Sequence, residues 1–282
     1  HRVDRRQRQM CIRDSHRRAT LTLAPSADSA QQLAELGVDR IRRWGRGVDA
    51  ERFRPDRRSV TLRAEWGSEV VIGYVGRLAP EKQVEDLGVL QTIPGTRLVI
   101  VGDGPSRPRL EALLPDALFL GHLEGDALAE AMASFDVFVH PGESETFGQT
   151  LQEAHASGVP VIATGRGGPL GLVHMGIDGW LYRPGDLDDL RMRVADLTGD
   201  ARKRRAFGEA GSAAVQGRSW SSICDQLLGH FVEARELHAV DAGLRARRLT
   251  RPEPSVPVDA RRWQRYVALG DSLTEGLCDP AP

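Results

Sequence analysis

Cysteine, aromatic residues and long apolar runs are all scarce in this chain, and each shortage removes a class of protein. The three cysteines, Cys11, Cys224 and Cys278, stand far apart with no CxxC spacing. That argues against a disulfide framework and a cysteine zinc site, and it fits reduced thiols in the cytoplasm. No apolar stretch approaches the ~18 residues of a membrane-spanning helix, and no signal-peptide pattern is read. An excess of one charge is missing too: 38 Lys and Arg face 39 Asp and Glu. So even a balance gives no basis for a nucleic-acid partner. Arginine does crowd into residues 2–18 and 245–265, and short runs of that kind read as solvated, disordered segments. What remains, 40% hydrophobic and 27% charged, is a globular composition, sufficient for about one to two domains at roughly 100–200 residues each.

Residues 1–19 show no hydrophobic period, and Arg8–Ser15 (RQMCIRDS) resembles translated sequencing-adaptor sequence. They are read as a disordered, non-native leader. Structure is expected to begin with a short strand in TLTLAPS (20–26), a helix to about Leu36 and a turn-rich connector ending at Pro55. From Val70, β-branched apolar segments alternate with helical stretches. Strands are expected at 70–75, 96–102, 117–121, 136–140 and 159–164, and helices at about 83–91, 106–114, 126–135 and 147–157. Alternation of this kind predicts βαβ units and an α/β, Rossmann-like, doubly wound parallel sheet. Gly176–Gly185 reads as an irregular hairpin, followed by helices at about 187–198 and 200–215 and a last long helix over Ser219–His238.

Such a sheet binds ligands beyond the carboxyl ends of its strands. Strand 70–75 runs into Gly76-Arg77-Leu78-Ala79-Pro80-Glu81-Lys82. Gly76 allows close backbone approach, and a planar guanidinium with an ammonium suits a diphosphate. Two solvated surface cations are the alternative. Strand 136–140 leads into PGESETFG (141–148) and a helix containing Glu153. Glu145 in the turn and Glu153 about two turns into the helix could accept hydrogen bonds from hydroxyls at two ends of a ligand, while the amides of Phe147 and Gly148 face an anion. Against this stand a helix-capping Glu145 and an exposed, helical Glu153. His140 and His122 read either as ligand contacts or as structural residues, and His155 as packing or surface. Asp186-Leu187-Asp188 follows Pro184-Gly185 and opens a helix, so it reads as a cap and not a metal pair.

GYVGRLAPEK, VIVGDGP, the E-x7-E segment ETFGQTLQE and ASGVPVIATGRGGP, in this order, resemble glycosyltransferase family 4, of GT-B fold, over roughly residues 20–238. More narrowly, HPGESETFGQTLQEAHASGVPV resembles actinobacterial GDP-mannose-dependent α-mannosyltransferases. The resemblance implies a retaining hexosyltransferase that needs no metal and no cofactor beyond its nucleotide-sugar donor, GDP-mannose or a UDP-sugar. It implies that Arg77 and Lys82 clamp the diphosphate and stabilise the charge of the leaving group. Glu145 would hold hydroxyls of the transferred sugar, with Thr146, Phe147 and Gly148 nearby, and Glu153 the ribose hydroxyls. Gly102, Asp103 and Gly104, with Gly121 and His122, would line the base. The acceptor would be a lipid or glycan. One departure is Gly171, where the family commonly has an acidic residue after GGP.

The tail YVALGDSLTEG (266–276) resembles the first block of SGNH hydrolases, which implies a nucleophile at Ser272 but lacks the remaining groups of that chemistry. The domain plan is therefore a leader (1–19), a remnant of the N-terminal acceptor domain with its connector (20–60) and a nucleotide-sugar-binding domain (61–238). A linker (239–262) and the truncated start of an SGNH-like domain (263–282) complete it. Peripheral association with the inner face of the cell membrane would belong to the acceptor domain. A nucleotide-binding module without transfer activity and a transferase–esterase fusion are the alternatives.

Overall fold

The computed structural model describes residues 13–67 and 70–249 of the 282, with side chains to 244. Ser272 and its SGNH-like block, most of the expected linker and residues 1–12 lie outside the described residues. The chain divides into a larger unit, residues 46–222, and a smaller one formed by the segments on either side.

The smaller unit opens with helix α1 (13–18), where a structureless leader was expected. His16 on that helix is buried, with Nδ1 3.5 Å from Thr22 Oγ1. Strand β1 (Thr22–Ala24), helix α2 (Ala27–Glu35) and strand β2 (Ile41–Arg43) follow. Ser26 caps α2 by accepting the Ser29 amide, and β2 pairs in parallel with β1 inside the stretch read as connector.

In the larger unit, the short helix α3 (Val60–Trp66), capped by Ser59, precedes the sheet and was not anticipated. Then come β3 (Val70–Val75), β4 (Thr96–Val101), α4 (Arg107–Leu113), β5 (Leu118–Gly121), α5 (Gly125–Ala133) and β6 (Val137–His140). The series continues with α6 (Gln149–Ala156), β7 (Val161–Thr164), β8 (Gly179–Tyr182), α7 (Leu187–Gly199), α8 (Ala201–Val215) and α9 (Trp220–Leu249), which continues into the smaller unit. There Leu21 and Leu23 pack with Ala234, Leu227, Leu237 and Trp44, and Arg40 holds Asp241 through two bonds of 2.6 and 2.9 Å.

Six parallel strands form one sheet in the order β5-β4-β3-β6-β7-β8. The order reverses between β3 and β6, which pair directly. Three expectations are corrected. Gly176–Gly185 is not a hairpin, because β8 pairs in parallel with β7 and extends the sheet edge. The helix expected at 83–91 is a 3₁₀ helix, Val84–Thr92; its buried residues Val84, Leu87 and Leu90 recur every three positions, the repeat of that helix and not of an α-helix. And α9 runs on through 249, beyond His238 where it was expected to end and into the stretch read as linker.

The central strands β3, β6 and β7, with the second half of β4, are apolar on both faces and buried on both. Val71, Val99, Phe138 and Val161 face one core with Phe135 and α6, and Ile72, Ile100, Val139 and Ile162 face the other with the 3₁₀ helix and α7. Gly73 sits in β3 because a Cβ there would lie 2.1 Å from the Phe135 ring. Gly73→Ala is therefore expected to destabilise the fold by about 1–3 kcal/mol through overpacking. Combined with Phe135→Ala it should cost less than the sum of the two, as read from denaturant midpoints; additivity would show that the ring is not what excludes the methyl group.

Candidate functional site

The carboxyl ends of β3 and β6 open side by side into segments 76–82 and 141–148, and an ion pair joins them. Lys82 Nζ donates to Glu145 Oε2 at 2.9 Å, with both side chains largely buried, 23% and 17% exposed. The other carboxylate oxygen accepts the amides of Phe147 (3.3 Å) and Gly148 (3.1 Å) at the start of α6. Glu145 thus holds the turn that leads into α6, whose N-cap is Gly148 and which has no side-chain cap of its own. The amides expected to face an anion face this carboxylate. His140, buried at the end of β6, places Nε2 3.5 Å from the same Oε2, at the outer limit of hydrogen bonding. Burial raises the Glu145 pKa, but the contacts with His140 and Lys82 outweigh it and hold the carboxyl well below the usual carboxylate range.

Backbone-directed bonds fix both segments. Buried Tyr74 donates to the Arg77 carbonyl at 3.3 Å, and Tyr182 to that of Pro141 at 3.1 Å. The Gln83 carboxamide accepts the Glu143 amide at 2.8 Å. Gln83 itself has φ +50, a costly conformation for a residue with a side chain, next to Lys82. The Gly168 amide donates to the Glu145 carbonyl at 2.7 Å. Tyr182, Gln83 and Gly168 escaped the sequence reading: Tyr182 lay in the supposed hairpin, and nothing local marks a glutamine as a brace between loops.

Arg77 is exposed and pairs with Glu81, apart from the Lys82–Glu145 pair. Gly76, Gly102, Asp103, Gly104 and Gly121 come together at the ends of β3, β4 and β5. A Cβ on Gly102 would lie 1.9 Å from the Gly76 carbonyl oxygen, so glycine there serves the contact between loops. The Leu78 amide donates to the Asp103 carbonyl at 2.9 Å and the Gly102 amide to that of Gly121 at 2.7 Å. The Asp103 carboxylate accepts the Gly104 amide at 2.7 Å. His122 is exposed and lies 2.8 Å from Glu124, and Thr146 is exposed beside Glu145.

Glu153 is not the exposed helical residue of the alternative reading. It is largely buried on α6, where the Gln149 carboxamide reaches it at 3.4 Å and also donates to the Gly47 carbonyl at 3.0 Å. Burial pushes its carboxyl from 4.5 up to about 7, against a smaller opposing effect from Gln149. Asp186 caps α7, accepting the Asp189 amide at 3.0 Å. His155 is buried 3.8 Å from Asp178, so of the two readings, packing or surface, it is the packed one.

A cavity of about 680 Å³ lies at the opposite, amino-terminal edge of the sheet, among Pro55, Arg58, Phe135, Pro160 and Arg204. Arg58 there is engaged by Asp136 and the Phe135 carbonyl, and Arg204 by the carbonyls of Leu197 and Thr198. These arginines brace the fold, and the carboxyl edge remains the ligand side of such a sheet.

The raised Glu153 pKa carries a stability consequence. Between about pH 4.5 and 7 the folded chain keeps a proton that the unfolded chain releases, so stability falls as pH rises through that window. Glu153→Gln is expected to raise the melting temperature at pH 8, by up to about 3 kcal/mol of stability, and to change little at pH 4.5. Thermal unfolding across this range checks it; an equal effect at both ends would exclude burial of the charge as the cause.

Comparison with known proteins identifies the family. Residues 62–214 match the family model described as "Glycosyl transferases group 1". The chain is 49% identical over 222 residues to the GDP-mannose-dependent alpha-mannosyltransferase of Mycolicibacterium smegmatis, covering 78% of this chain and 58% of that protein. It is 46% identical over 227 residues to the Mycobacterium tuberculosis enzyme of the same name, covering 79% and 59%. The chain thus spans less than two thirds of the length of these relatives. Among solved structures, Anabaena HepE with UDP-glucose superposes with a TM-score of 0.74 over 82% of this chain and 68% of that one, at 24% identity. Sucrose-phosphate synthase from Thermosynechococcus elongatus gives 0.74 over 83% and 62%, at 25% identity. The α/β fold is that of GT-B glycosyltransferases, and the chain belongs to the group 1 glycosyl transferases.

Proposed function

We propose that this chain holds the donor of a retaining hexosyltransferase, and that the donor is GDP-mannose. The observation that carries the reading is the joining of Lys82 and Glu145 at the reversal of strand order, with Glu153 on the helix that follows, in a chain 49% identical to a GDP-mannose-dependent alpha-mannosyltransferase. In this reading Lys82, with Arg77 at the same strand end, neutralises the diphosphate. As the bond from the anomeric carbon to the phosphate oxygen breaks, negative charge grows on that oxygen, and fixed cations stabilise it without a metal. Glu145 accepts hydroxyls of the sugar and Glu153 those of the ribose. The loops at Gly102–Gly104 and Gly121–Glu124 border the base.

A lipid or glycan acceptor, and a place at the inner face of the cell membrane, belong to the same proposal and rest on the family resemblance. No helix among the described residues is long and apolar enough to cross a membrane.

Calorimetry on the chain separates the roles. Lys82→Ala and Glu153→Ala are each expected to weaken GDP binding by about 1.5–3 kcal/mol, the worth of hydrogen bonds involving a charged group. Glu145→Ala should leave GDP binding within about twofold, since it removes no nucleotide contact and frees Lys82, but should abolish the added affinity of the mannosyl group. EDTA should change none of these values. Equal losses of GDP affinity in the Glu145 and Glu153 variants, or binding that requires a divalent ion, would contradict the assignment.

A further inference from the structure

His140 is 2% exposed, yet among the described residues neither ring nitrogen finds a hydrogen-bond partner of good geometry. A neutral imidazole always carries one N–H, and leaving it buried without an acceptor costs about 1–3 kcal/mol. The ring packs against Tyr74, centroids 6.4 Å apart and planes within 8°, which limits how far it can turn to find a partner elsewhere. Its Nε2 faces Glu145 Oε2 at 3.5 Å.

That oxygen is held by Lys82 at 2.9 Å, while the other is held by the amides of Phe147 and Gly148. Among the described residues, Lys82 and His140 are the side chains within ion-pair reach of Glu145. Lys82 is also the cation assigned above to the diphosphate. An ammonium drawn toward phosphate gives less to the carboxylate, and a largely buried carboxylate oxygen stripped of its donor is costly. A shift of roughly 0.7 Å would bring His140 to the distance of a charge-assisted hydrogen bond.

We propose that His140 is a positioning residue that works by exchange: when Lys82 turns to the donor diphosphate, the Nε2–H of His140 takes over Glu145 Oε2 and keeps the carboxylate aimed at the sugar hydroxyls. The inference rests on the donor reading of Lys82 and Glu145. It makes sugar recognition depend on phosphate occupancy, because Glu145 stays in place while its partner changes.

The exchange can be tested in the full chain with and without nucleotide. Lys82→Met withdraws the ammonium while leaving the stem. In ¹⁵N-histidine spectra of this variant, the His140 ring should show an Nε2–H proton that is hydrogen-bonded and protected from exchange with water, a signature absent from the wild type. Adding GDP to the wild type should produce the same signature. In calorimetry, His140→Phe should bind GDP within about twofold of wild type but lose about tenfold in its preference for GDP-mannose over GDP. His140→Gln, which can still donate from its side chain, should recover most of that preference. An unchanged ring in Lys82→Met, or a full GDP-mannose preference in His140→Phe, overturns the proposal. If wild type shows no preference for GDP-mannose, the donor reading fails on its own terms, and the Lys82→Met spectrum still decides whether the exchange occurs.

Discussion

The ion pair between Lys82 and Glu145 joins the two halves of the sheet at its open edge. One partner follows β3 and the other follows β6, the strands between which the order reverses. Two diverging loops at such a point leave a crevice, and something must set its width. Here a bond of 2.9 Å does so, reinforced by the amides just before α6, by hydrogen bonds donated by Tyr74, Tyr182 and Gly168, and by one that Gln83 accepts from the Glu143 amide. Apart from the Lys82–Glu145 pair, each of these bonds has a backbone atom at one end or both, so together they fix the course of the loops.

The groups assigned to the donor are for the most part already engaged within the chain. Lys82 is held by Glu145, Arg77 by Glu81, the Phe147 and Gly148 amides by the Glu145 carboxylate, and Glu153 by Gln149. Donor binding would therefore exchange one set of polar contacts for another, and only the difference between the sets would appear as affinity. For Lys82 and Glu145 the same engagement keeps two largely buried charges from standing alone, whereas Glu153, with only Gln149 beside it, has its pKa raised instead.

Much of this was legible in the residues. Five strands and the helices between them announced themselves by apolar runs and helical period, and the strand ends directed attention to Lys82, Glu145 and Glu153. What escaped did so for physical reasons. A four-residue edge strand between turns, β8, resembles a hairpin arm until its parallel partner is known. The 3₁₀ helix differs from an α-helix only by a repeat of three in a nine-residue stretch. Gln149, the partner of Glu153, is also tied to the Gly47 carbonyl about a hundred positions away in sequence, a setting that no local pattern could show. Glu145 was weighed as either a cap or a ligand contact; its carboxylate holds the amides of the turn before α6 and pairs with Lys82, contacts across loops that the local sequence does not announce.

Every role given to the strand ends depends on a sugar nucleotide binding there. Backbone amide shifts of the ¹⁵N-labelled chain during titration with GDP-mannose test this most directly. The largest changes should fall in 76–82, 102–104, 121–124 and 140–153, at the carboxyl edge of the sheet. Changes concentrated instead around Arg58, Phe135 and Arg204, at the amino edge, would contradict the account and move the site to the opposite side of the molecule.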